Sequence, residues 1–418
     1  MNNNIPQGYK QSPLGVIPQD WEVRRLGEIA HLTSGATPLR SNNLYFDGGI
    51  IPWIKTTDLN NSILNKSEEC VTNKALDETS IKILPKETVL VAMYGGFNQI
   101  GRTALLGIDS TINQALCALL LNRSIALPKY VLYWLNAKVA LWRNFAASSR
   151  KDPNITSKDV SHFPIVIPPL AEQERIAEVL GTWDVAIEKQ GALVDALTRR
   201  KQALMQQLLT ARKRLPNFTA PWQEVKLGDV AKRVTRKNSE QNTNVMTISA
   251  QKGFVSQTDF FNKSIASNVL DNYYLVQKGE FCYNKSYSNG YPMGAIKRLN
   301  NADKAVVTTL YICFEIESGV CVDFMEHLFE SGILNEGLMK VANEGGRAHG
   351  LLNVTPSDFF ALKITLPPTE EQKAISQILT TADREIELAT TKLNTLRTQK
   401  RALMQQLLTG KKRLKVWQ

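Results

Sequence analysis

Two long segments of the chain carry a narrow stripe of apolar positions that alternates in steps of four and three residues. The first stripe comprises Ile176, Leu180, Trp183, Ile187, Gln190, Val194, Leu197, Lys201, Leu204 and Leu208. The second comprises Ile375, Leu379, Ala382, Ile386, Ala389, Leu393, Leu396, Lys400, Leu403 and Leu407. Because a 3.5-residue repeat is typical of a coiled coil, each segment predicts one long helix that pairs with a partner of the same pattern.

Both predicted helices have recognisable ends. Each follows a pair of prolines, Pro168-Pro169 or Pro367-Pro368. In the second copy, Thr369 and Gln372 predict a capping box, and Gly410 predicts the helix end. A polar residue inside an apolar seam often fixes register and partner choice, and this role is expected of the two lysines that interrupt the stripes, Lys201 and Lys400.

The helical segments belong to a longer internal repeat. Residues 154–215 align without a gap onto residues 353–414 at a constant offset of 199 positions (353 − 154). A shorter repeat lies upstream, where Trp21 corresponds to Trp222 and each is followed by a Leu-Gly pair. A fixed internal period indicates two similar halves in tandem, so the fold should be pseudo-two-fold.

The remaining segments predict two mixed α/β heads. Strands are predicted at Ile51–Ile54, Thr88–Ala92, Ala305–Ile312 and Ile364–Leu366, and helices at Pro128–Ala147 and Val322–Ala342. The predicted domains are a first globular domain at 1–167, a first spacer helix at 168–215, a second globular domain at 216–366 and a second spacer helix at 367–418. If the termini of the second globular domain are neighbours, the helix that enters it and the helix that leaves it are antiparallel. The expected fold class is therefore α+β, with two heads separated by an antiparallel coiled coil.

Composition narrows the function classes. The chain has 418 residues, a hydrophobic fraction of 43% and a net charge of +11, which suits a soluble protein with a nucleic-acid partner. We expect a cytoplasmic protein, because no apolar run approaches the length of a membrane span and no signal peptide is recognisable. Five cysteines without a C-x-x-C pair and four scattered histidines predict neither a disulfide scaffold nor a metal site.

Several catalytic signatures are missing from the sequence. It has no phosphate-binding G-x-x-x-x-G-K-[ST], no G-x-G-x-x-G, no H-E-x-x-H and no G-x-S-x-G. The Asn/Asp-Pro-Pro-aromatic tetrad of amino-methyltransferases is also missing, and its nearest match, Asp152–Ile155, predicts a turn. Glu224 and Lys226 form a lone E-x-K, which we interpret as a strand end rather than a nuclease site. None of these enzyme classes is therefore indicated by a local signature.

The repeated elements carry a family resemblance. They are Pro-Pro with Glu172-Gln173 or Glu371-Gln372, the Ala-Leu-Met-Gln-Gln-Leu-Leu-Thr run, the Pro18–Trp21 opening and the segment Ile51–Asp58. With these elements the chain resembles the specificity subunits of type I restriction–modification systems over nearly its whole length. The resemblance implies that each head is a target-recognition domain for one half of a split site in double-stranded DNA, and that the helices form an antiparallel spacer.

The resemblance also implies partner subunits. The helices would bind two copies of a modification subunit, which would carry the S-adenosylmethionine and methylate adenine N6. Restriction subunits would join to make the nuclease. No cofactor is then expected on this chain, and no membrane partner.

Glycine-, asparagine- and lysine-rich stretches of the heads are the candidate DNA-reading segments, because bidentate Arg, Lys, Asn and Gln side chains read base edges. In the first head the candidates are Lys55, Thr56, Thr57, Tyr94, Gly95, Gly96, Asn98, Gln99, Arg102, Ser149, Arg150 and Lys151. In the second they are Asn284, Lys285, Ser286, Tyr287, Asn289, Gly346, Arg347 and His349. In each head one set follows a strand near the middle, and the other precedes the repeated block. The alternative is that these stretches are ordinary surface turns.

Other interpretations stay open. The basic runs Arg212–Arg214 and Lys411–Arg413 follow the predicted helices, where they could contact phosphates or stabilise the helix ends. The whole chain could also be a coiled-coil scaffold without DNA affinity, or a DNA-modifying enzyme whose signature is not recognisable. Salt-dependent binding to duplex DNA would distinguish the reader from the scaffold, and binding of S-adenosylmethionine by the isolated chain would indicate the enzyme.

Overall fold

The computed structural model describes residues 5–96, 98–146, 154–257, 270–344 and 351–414. The chain divides into two compact units. The first contains residues 1–190 and 392–418, and the second contains residues 191–391. Each unit combines one head with a part of both long helices.

The first head contains many short strands. In its described part they are β1 Tyr9–Ser12, β2 Gly15–Pro18, β3 Glu22–Arg25, β4 Ala30–Ser34, β5 Ile51–Ile54, β6 Ile63–Leu64, β7 Glu69–Val71, β8 Val89–Ala92, β9 Thr103–Leu106, β10 Thr111–Ile112, β11 Leu116–Leu121 and β12 Pro164–Ile167. The largest sheet has the order β4-β11-β8-β9-β6, and a smaller one has the order β10-β5-β7. β11 pairs antiparallel with β4 and β8, and this interior position explains its nearly continuous apolar sequence.

The described part of the first head contains the short helices α1 Leu26–Ile29, α2 Asn73–Glu78, α3 Pro128–Ala137 and α4 Ser157–His162. The long helix α5 Leu170–Leu208, which belongs to the internal repeat, follows them. The helix predicted over Pro128–Ala147 is wrong in its second half. The α-helix ends at Ala137, where Lys138 has a ψ of 17°, and a 3-10 turn runs over Val139–Asn144. The tighter turn buries Trp142 against Phe163, with ring centroids 3.9 Å apart.

The second head has its own set of strands. They are β13 Gln223–Lys226, β14 Ala231–Val234, β15 Met246–Ser249, β16 Gly253–Ser256, β17 Tyr274–Gln277, β18 Phe281–Asn284, β19 Ala295–Arg298, β20 Lys304–Val307, β21 Ile312–Ile316, β22 Asn343–Glu344, β23 Leu352–Asn353 and β24 Lys363–Leu366. The main sheet has the order β14-β21-β18-β19. The E-x-K at Glu224 and Lys226 lies in β13, paired with β24, as the interpretation of a strand end requires.

Two predicted elements of the second head are divided in the structure. The single strand predicted at Ala305–Ile312 is instead the end of β20 and the start of β21, which lie in different sheets. The predicted helix Val322–Ala342 consists of α6 Val322–Glu330 and α7 Asn335–Val341. Gly332 separates them with a φ of +75°, a conformation that a continuing α-helix cannot contain. Helices α8 Pro356–Phe360 and α9 Thr369–Leu407 complete the unit.

The two long helices bury the predicted stripes. Each has 39 residues, which corresponds to about 58 Å of α-helix. Every one of the twenty stripe positions is buried or half-buried. Ile176 and Leu180 of α5 pack in the core of the first head together with Leu407 of α9, whereas Leu208 and Leu379 pack in the core of the second. Opposite ends of the two helices therefore meet in each head.

Ion pairs confirm that the helices are antiparallel within each unit. In the first unit, Asp184 pairs with Lys400 and Glu172 pairs with Arg413. In the second unit, the equivalent pairs are Lys201 with Asp383 and Arg214 with Glu371. In both units the partner numbers fall along α9 as the residue numbers rise along α5. The seam lysines therefore have carboxylate partners on the facing helix, as expected of residues that fix register.

The predicted capping box at the start of α9 is wrong. Thr369 is already the first helical residue, and its hydroxyl donates to the carbonyl oxygen of Gly319 at 2.7 Å. The side-chain amide of Gln372 instead donates to the carbonyl oxygen of Pro367 at 2.8 Å and accepts the backbone N–H of Cys321 at 2.9 Å. Tertiary partners have therefore replaced the local cap. The predicted end at Gly410 lies three residues beyond Leu407.

Gly410 gives a test of the packing at this helix end. Its φ is +70°, and a Cβ there would overlap the ring of Pro18. We expect Gly410→Ala to lower the free energy of unfolding by about 2 kcal/mol, because left-handed backbone and crowding both oppose the methyl group. Gly15→Ala is the matched control, since Gly15 has a φ of +103° but open space around it. Denaturant titration of both variants measures the difference, and an equal loss would contradict the contact with Pro18.

Candidate nucleic-acid interface

The central loop of the first head connects β8 to β9 and carries six of the candidate readers. Tyr94 is 41% exposed, Asn98 is exposed, and Gly95 has a φ of +106° that favours glycine. Gln99 is half-buried, and its Oε1 accepts a hydrogen bond from the guanidinium of Arg102 at 2.9 Å. The loop therefore presents amide, phenol and guanidinium groups together, on backbone that glycines allow to turn sharply.

The second candidate segment of this head, with Ser149, Arg150 and Lys151, lies outside the described residues. The described chain resumes at residue 154, and the backbone N–H of Ile155 donates to the carbonyl oxygen of Met93 at 3.0 Å. Met93 directly precedes Tyr94. The described chain that follows the second candidate segment is therefore bonded to the base of the central loop.

The second head has a comparable hydrogen bond. Its central loop follows β18, whose last residue is Asn284, while Gly346, Arg347 and His349 of the other segment lie outside the described residues. The backbone N–H of Leu352 donates to the carbonyl oxygen of Lys285 at 3.0 Å. In both heads, the described chain that follows the second candidate segment is therefore bonded to the base of the central loop.

Individual candidates of the second loop differ in exposure. Tyr287 is 63% exposed, and Asn289 is exposed, with its carbonyl oxygen accepting a hydrogen bond from the amide of Gln251 at 3.0 Å. Asn284 and Ser286 are half-buried. Burial lowers the pKa of Lys285 below its usual 10.5, and its ammonium lies 3.4 Å from the carbonyl oxygen of Val354. Tyr287 and Asn289 are thus the described candidates most open to a ligand.

Lys55 belongs to a compact ion-pair cluster at the end of β5, in contrast to the exposed loop residues. Its ammonium lies 2.5 Å from a carboxylate oxygen of Glu69, which also binds the guanidinium of Arg40. Hydrogen bonds from Arg40 and Lys55 lower the pKa of Glu69, and Glu69 raises the pKa of Lys55. Thr56 and Thr57 follow in a short 3-10 turn. A DNA contact by Lys55 stays a prediction, and it would compete with an existing carboxylate partner.

A buried carboxylate that the sequence did not single out holds each pair of helix ends in its head. In the second unit, Glu371 is inaccessible and accepts two hydrogen bonds of 2.7 Å from Arg214 and one of 3.1 Å from the indole of Trp222. In the first unit, Glu172 binds Arg413 and the indole of Trp21 in the same way. The repeat contains all three residue types at matching positions, and this was the signal available in the sequence.

The two carboxylate sites differ in one residue. Asp20 also binds the guanidinium of Arg413, at 2.8 and 2.9 Å. Both carboxylates raise the pKa of Arg413 above its usual value. In the second unit the guanidinium of Arg214 instead donates to the carbonyl oxygen of Ala220 at 2.9 Å. Of the basic residues after the helices, Arg214 and Arg413 therefore have a structural role.

The seam ion pairs have different neighbours in the two heads. In the first, the hydroxyl of Tyr133 donates to Asp184 at 2.6 Å, and burial together with this carboxylate raises the pKa of Tyr133. In the second, the imidazole of His327 lies 3.8 Å from Asp383, and burial with the nearby charge of Lys201 lowers the pKa of His327. Each head thus contributes a different side chain to a common helix–helix pair.

No group of three or more His, Cys, Asp or Glu side chains in the described ranges could hold a metal ion. Within the same ranges, no helix is long and apolar enough to cross a membrane.

Comparison with known proteins gives the class of this fold. The model of the type I restriction modification DNA specificity domain matches the chain twice, at residues 18–194 and 220–398. The two matches correspond to the two halves of the internal repeat, so the protein is a tandem pair of such domains. Because they cover most of the sequence, the chain belongs to the type I restriction–modification DNA specificity family, as the resemblance implied.

Individual relatives agree with this assignment. The chain is 25% identical over 215 residues to the type I restriction enzyme EcoR124I/EcoR124II specificity subunit of Escherichia coli, and this match spans 51% of the chain and 52% of the relative. It is 24% identical over 444 residues to the putative type I restriction enzyme MjaX specificity subunit of Methanocaldococcus jannaschii, covering 98% and 97%. The crystal structure of a type I restriction–modification S subunit from M. genitalium has the same fold, with a TM-score of 0.58, 16% identity and coverage of 98% and 97%.

Proposed function

We propose that this chain is the DNA-recognition subunit of a type I restriction–modification complex, in which each head reads one half of a bipartite site. The observation that carries the proposal is the central loop of each head, which exposes Tyr94 and Asn98 in the first head and Tyr287 and Asn289 in the second. Such a loop supplies several donors and acceptors on one surface, which is what readout of adjacent base edges requires. The net charge of +11 favours association with the phosphate backbone.

The proposal assigns the chemistry to partners. Two modification subunits dock on the helices, bind S-adenosylmethionine and methylate adenine N6 in the cytoplasm, and restriction subunits join the complex for cleavage. Support comes from the family membership and from the polar faces of α5 and α9. Outside the buried stripe, most positions of both helices are exposed, so a long surface is open to other helices.

Single substitutions in the two loops test the assignment of half-sites. We expect Asn98→Ala to weaken discrimination in one half of the target and Asn289→Ala to weaken it in the other, by about 1–3 kcal/mol for a lost bidentate contact. The measurement is selection of bound duplexes from a randomised pool, with the full chain in complex with its modification subunits. Each variant serves as the control for the other.

Two outcomes would contradict the proposal. If the wild-type complex selects no sequence at all, the chain is not a specificity subunit. If Asn98→Ala and Asn289→Ala alter the same half-site, the assignment of one half-site to each head is wrong.

A further inference from the structure

Each unit contains a cleft between its head and one of the long helices, and the two clefts use equivalent helix positions. In the first unit the cleft has a volume of about 470 Å³ and is lined by Arg397, Lys400, Arg401 and Met404 of α9. In the second the volume is about 740 Å³, and the helix positions 199 earlier, on α5, line it: Thr198, Lys201, Gln202 and Met205. The repeat has thus produced the same kind of recess twice.

The charges of the two clefts differ. Arg397 and Arg401 of the first cleft replace Thr198 and Gln202 of the second. Arg102 of the first head lines the opposite wall, and none of the residues lining this cleft is acidic. The second cleft is lined by the carboxylates of Glu330 and Asp383. The first cleft is therefore cationic, whereas the lining of the second contains two carboxylates and one lysine, Lys201.

The arginines of the first cleft have no neutralising partner in the described ranges. Lys400 is paired with Asp184, but neither Arg397 nor Arg401 has an ion-pair partner among the described residues. The two lie four residues apart on one helix, where like charges repel each other. Within the described part of the chain, the guanidinium of Arg102 is hydrogen-bonded only to the neutral amide of Gln99. An anion that enters the cleft would therefore meet three guanidinium groups without displacing a carboxylate.

We propose that this cleft binds the phosphate backbone of the DNA duplex beside the half-site read by the first head. The inference rests on the proposed function and identifies a further contact for it. Arg102 belongs to the same β8–β9 connection as Asn98 and Gln99, so a duplex read by that loop brings its backbone towards the cleft. Backbone contacts position a protein on DNA and carry no sequence information, so the asymmetry of the clefts anchors one half-site more firmly than the other.

The repeat supplies the test variant. Arg397→Thr with Arg401→Gln places in α9 the residues that α5 has at the equivalent positions, so the helix will tolerate them. Fluorescence titration of the full chain with its modification subunits measures affinity for the target duplex and for a scrambled duplex at several salt concentrations. We expect the affinity for both duplexes to fall by tenfold or more at low salt. The slope of log K against log [salt] should become shallower by about 0.9 for each lost phosphate contact.

A charge-matched variant separates the cleft from net charge. Adding Thr198→Arg and Gln202→Arg to the double variant restores the net charge of +11. The new arginines then face Glu330 and Asp383, so we expect no recovery of affinity. Full recovery would show that net charge alone matters and would overturn the proposal.

Three further outcomes would also overturn it. Unchanged affinity and salt slope would show that the cleft does not touch DNA. Unchanged DNA binding with weaker assembly of the modification subunits would show that an acidic protein segment occupies it. A changed base preference would indicate base readout instead of backbone contact. If the wild-type complex does not distinguish target from scrambled duplex, the proposed function fails, and the salt slope on the scrambled duplex still decides the role of the cleft.

Discussion

Replacing Glu371 by alanine will lower the free energy of unfolding of the second unit by about 3–5 kcal/mol, the range for breaking a buried ion pair by removing one partner. The carboxylate is inaccessible and binds both Arg214 and Trp222. Its loss leaves the guanidinium of Arg214, which is 29% exposed, with a single backbone carbonyl as acceptor, and it leaves the indole N–H unpaired. The same change also frees the end of α5 from the start of α9.

The equivalent substitution in the first unit, Glu172→Ala, should lower the free energy of unfolding by less. After Glu172→Ala, the guanidinium of Arg413 still has the carboxylate of Asp20, so we expect a loss of about 1.5–3 kcal/mol, the range for hydrogen bonds to charged groups. Denaturant titration followed by tryptophan fluorescence and circular dichroism measures both variants.

The double variant Asp20→Ala with Glu172→Ala completes the comparison. It leaves Arg413 without a carboxylate partner among the described residues, as Glu371→Ala leaves Arg214. The free energy of unfolding should then fall by about 3–5 kcal/mol. If Glu371→Ala and Glu172→Ala lower the free energy of unfolding equally, Asp20 does not replace Glu172 as the partner that stabilises Arg413.

Lengthening both long helices by seven residues will change the unread spacer of the DNA target and leave both half-sites unchanged. The insertion sites lie between Asp184 and Lys201 in α5, and between Asp383 and Lys400 in α9. Seven residues are close to two helical turns, so the buried stripe keeps its face. Each helix grows by about 10 Å. At about 3.4 Å per base pair, this corresponds to a spacer longer by about three base pairs.

The ion pairs show why both helices must be lengthened. Asp184 pairs with Lys400 at one end of this region, and Lys201 pairs with Asp383 at the other. An insertion in α5 alone lengthens only one side between the two pairs, so one pair must break or the extra turns must bulge. We therefore expect the single insertion to destabilise the protein and the double insertion to preserve it.

Sequencing that detects modified adenine in host DNA reports the target of each variant. An altered half-site sequence in the double-insertion variant would contradict a spacer role for the helices. A wild-type target in that variant would contradict it as well, because the unread gap must follow the helix length.

The sequence predicted more of the helices than of the heads. Their length, their stripes and the partner-setting role of Lys201 and Lys400 follow from periodicity, which is a local property. The carboxylate partners of these lysines could not be assigned, because Asp184 and Asp383 lie 216 and 182 residues from the lysines they bind. The capping box failed for the same reason. A local cap is only one way to satisfy the first turn of a helix, and Gln372 finds its partners in Pro367 and Cys321 instead.

The candidate site shows the same division. Composition and turn residues predicted loops at Tyr94–Gln99 and at Asn284–Asn289, and the structure contains both. The contact between the base of each loop and the chain after the second candidate segment depends on hydrogen bonds of Ile155 and Leu352 to residues more than sixty positions away. The cationic cleft of the first unit could not be predicted from the sequence either, because Arg102 and Arg397 line the same cleft only after the head has folded onto α9.

The sequence by itself determined that the protein is a tandem repeat with two long amphipathic helices. Both the repeat and the helical period are visible in the order of the residues. Only the tertiary structure decided which charges face each other. It paired Glu172 with Arg413 and Glu371 with Arg214, and it left Arg397 and Arg401 without an ion-pair partner among the described residues. The physical reason is that charge pairing depends on distances of a few ångströms in space, which the order of residues along the chain does not specify.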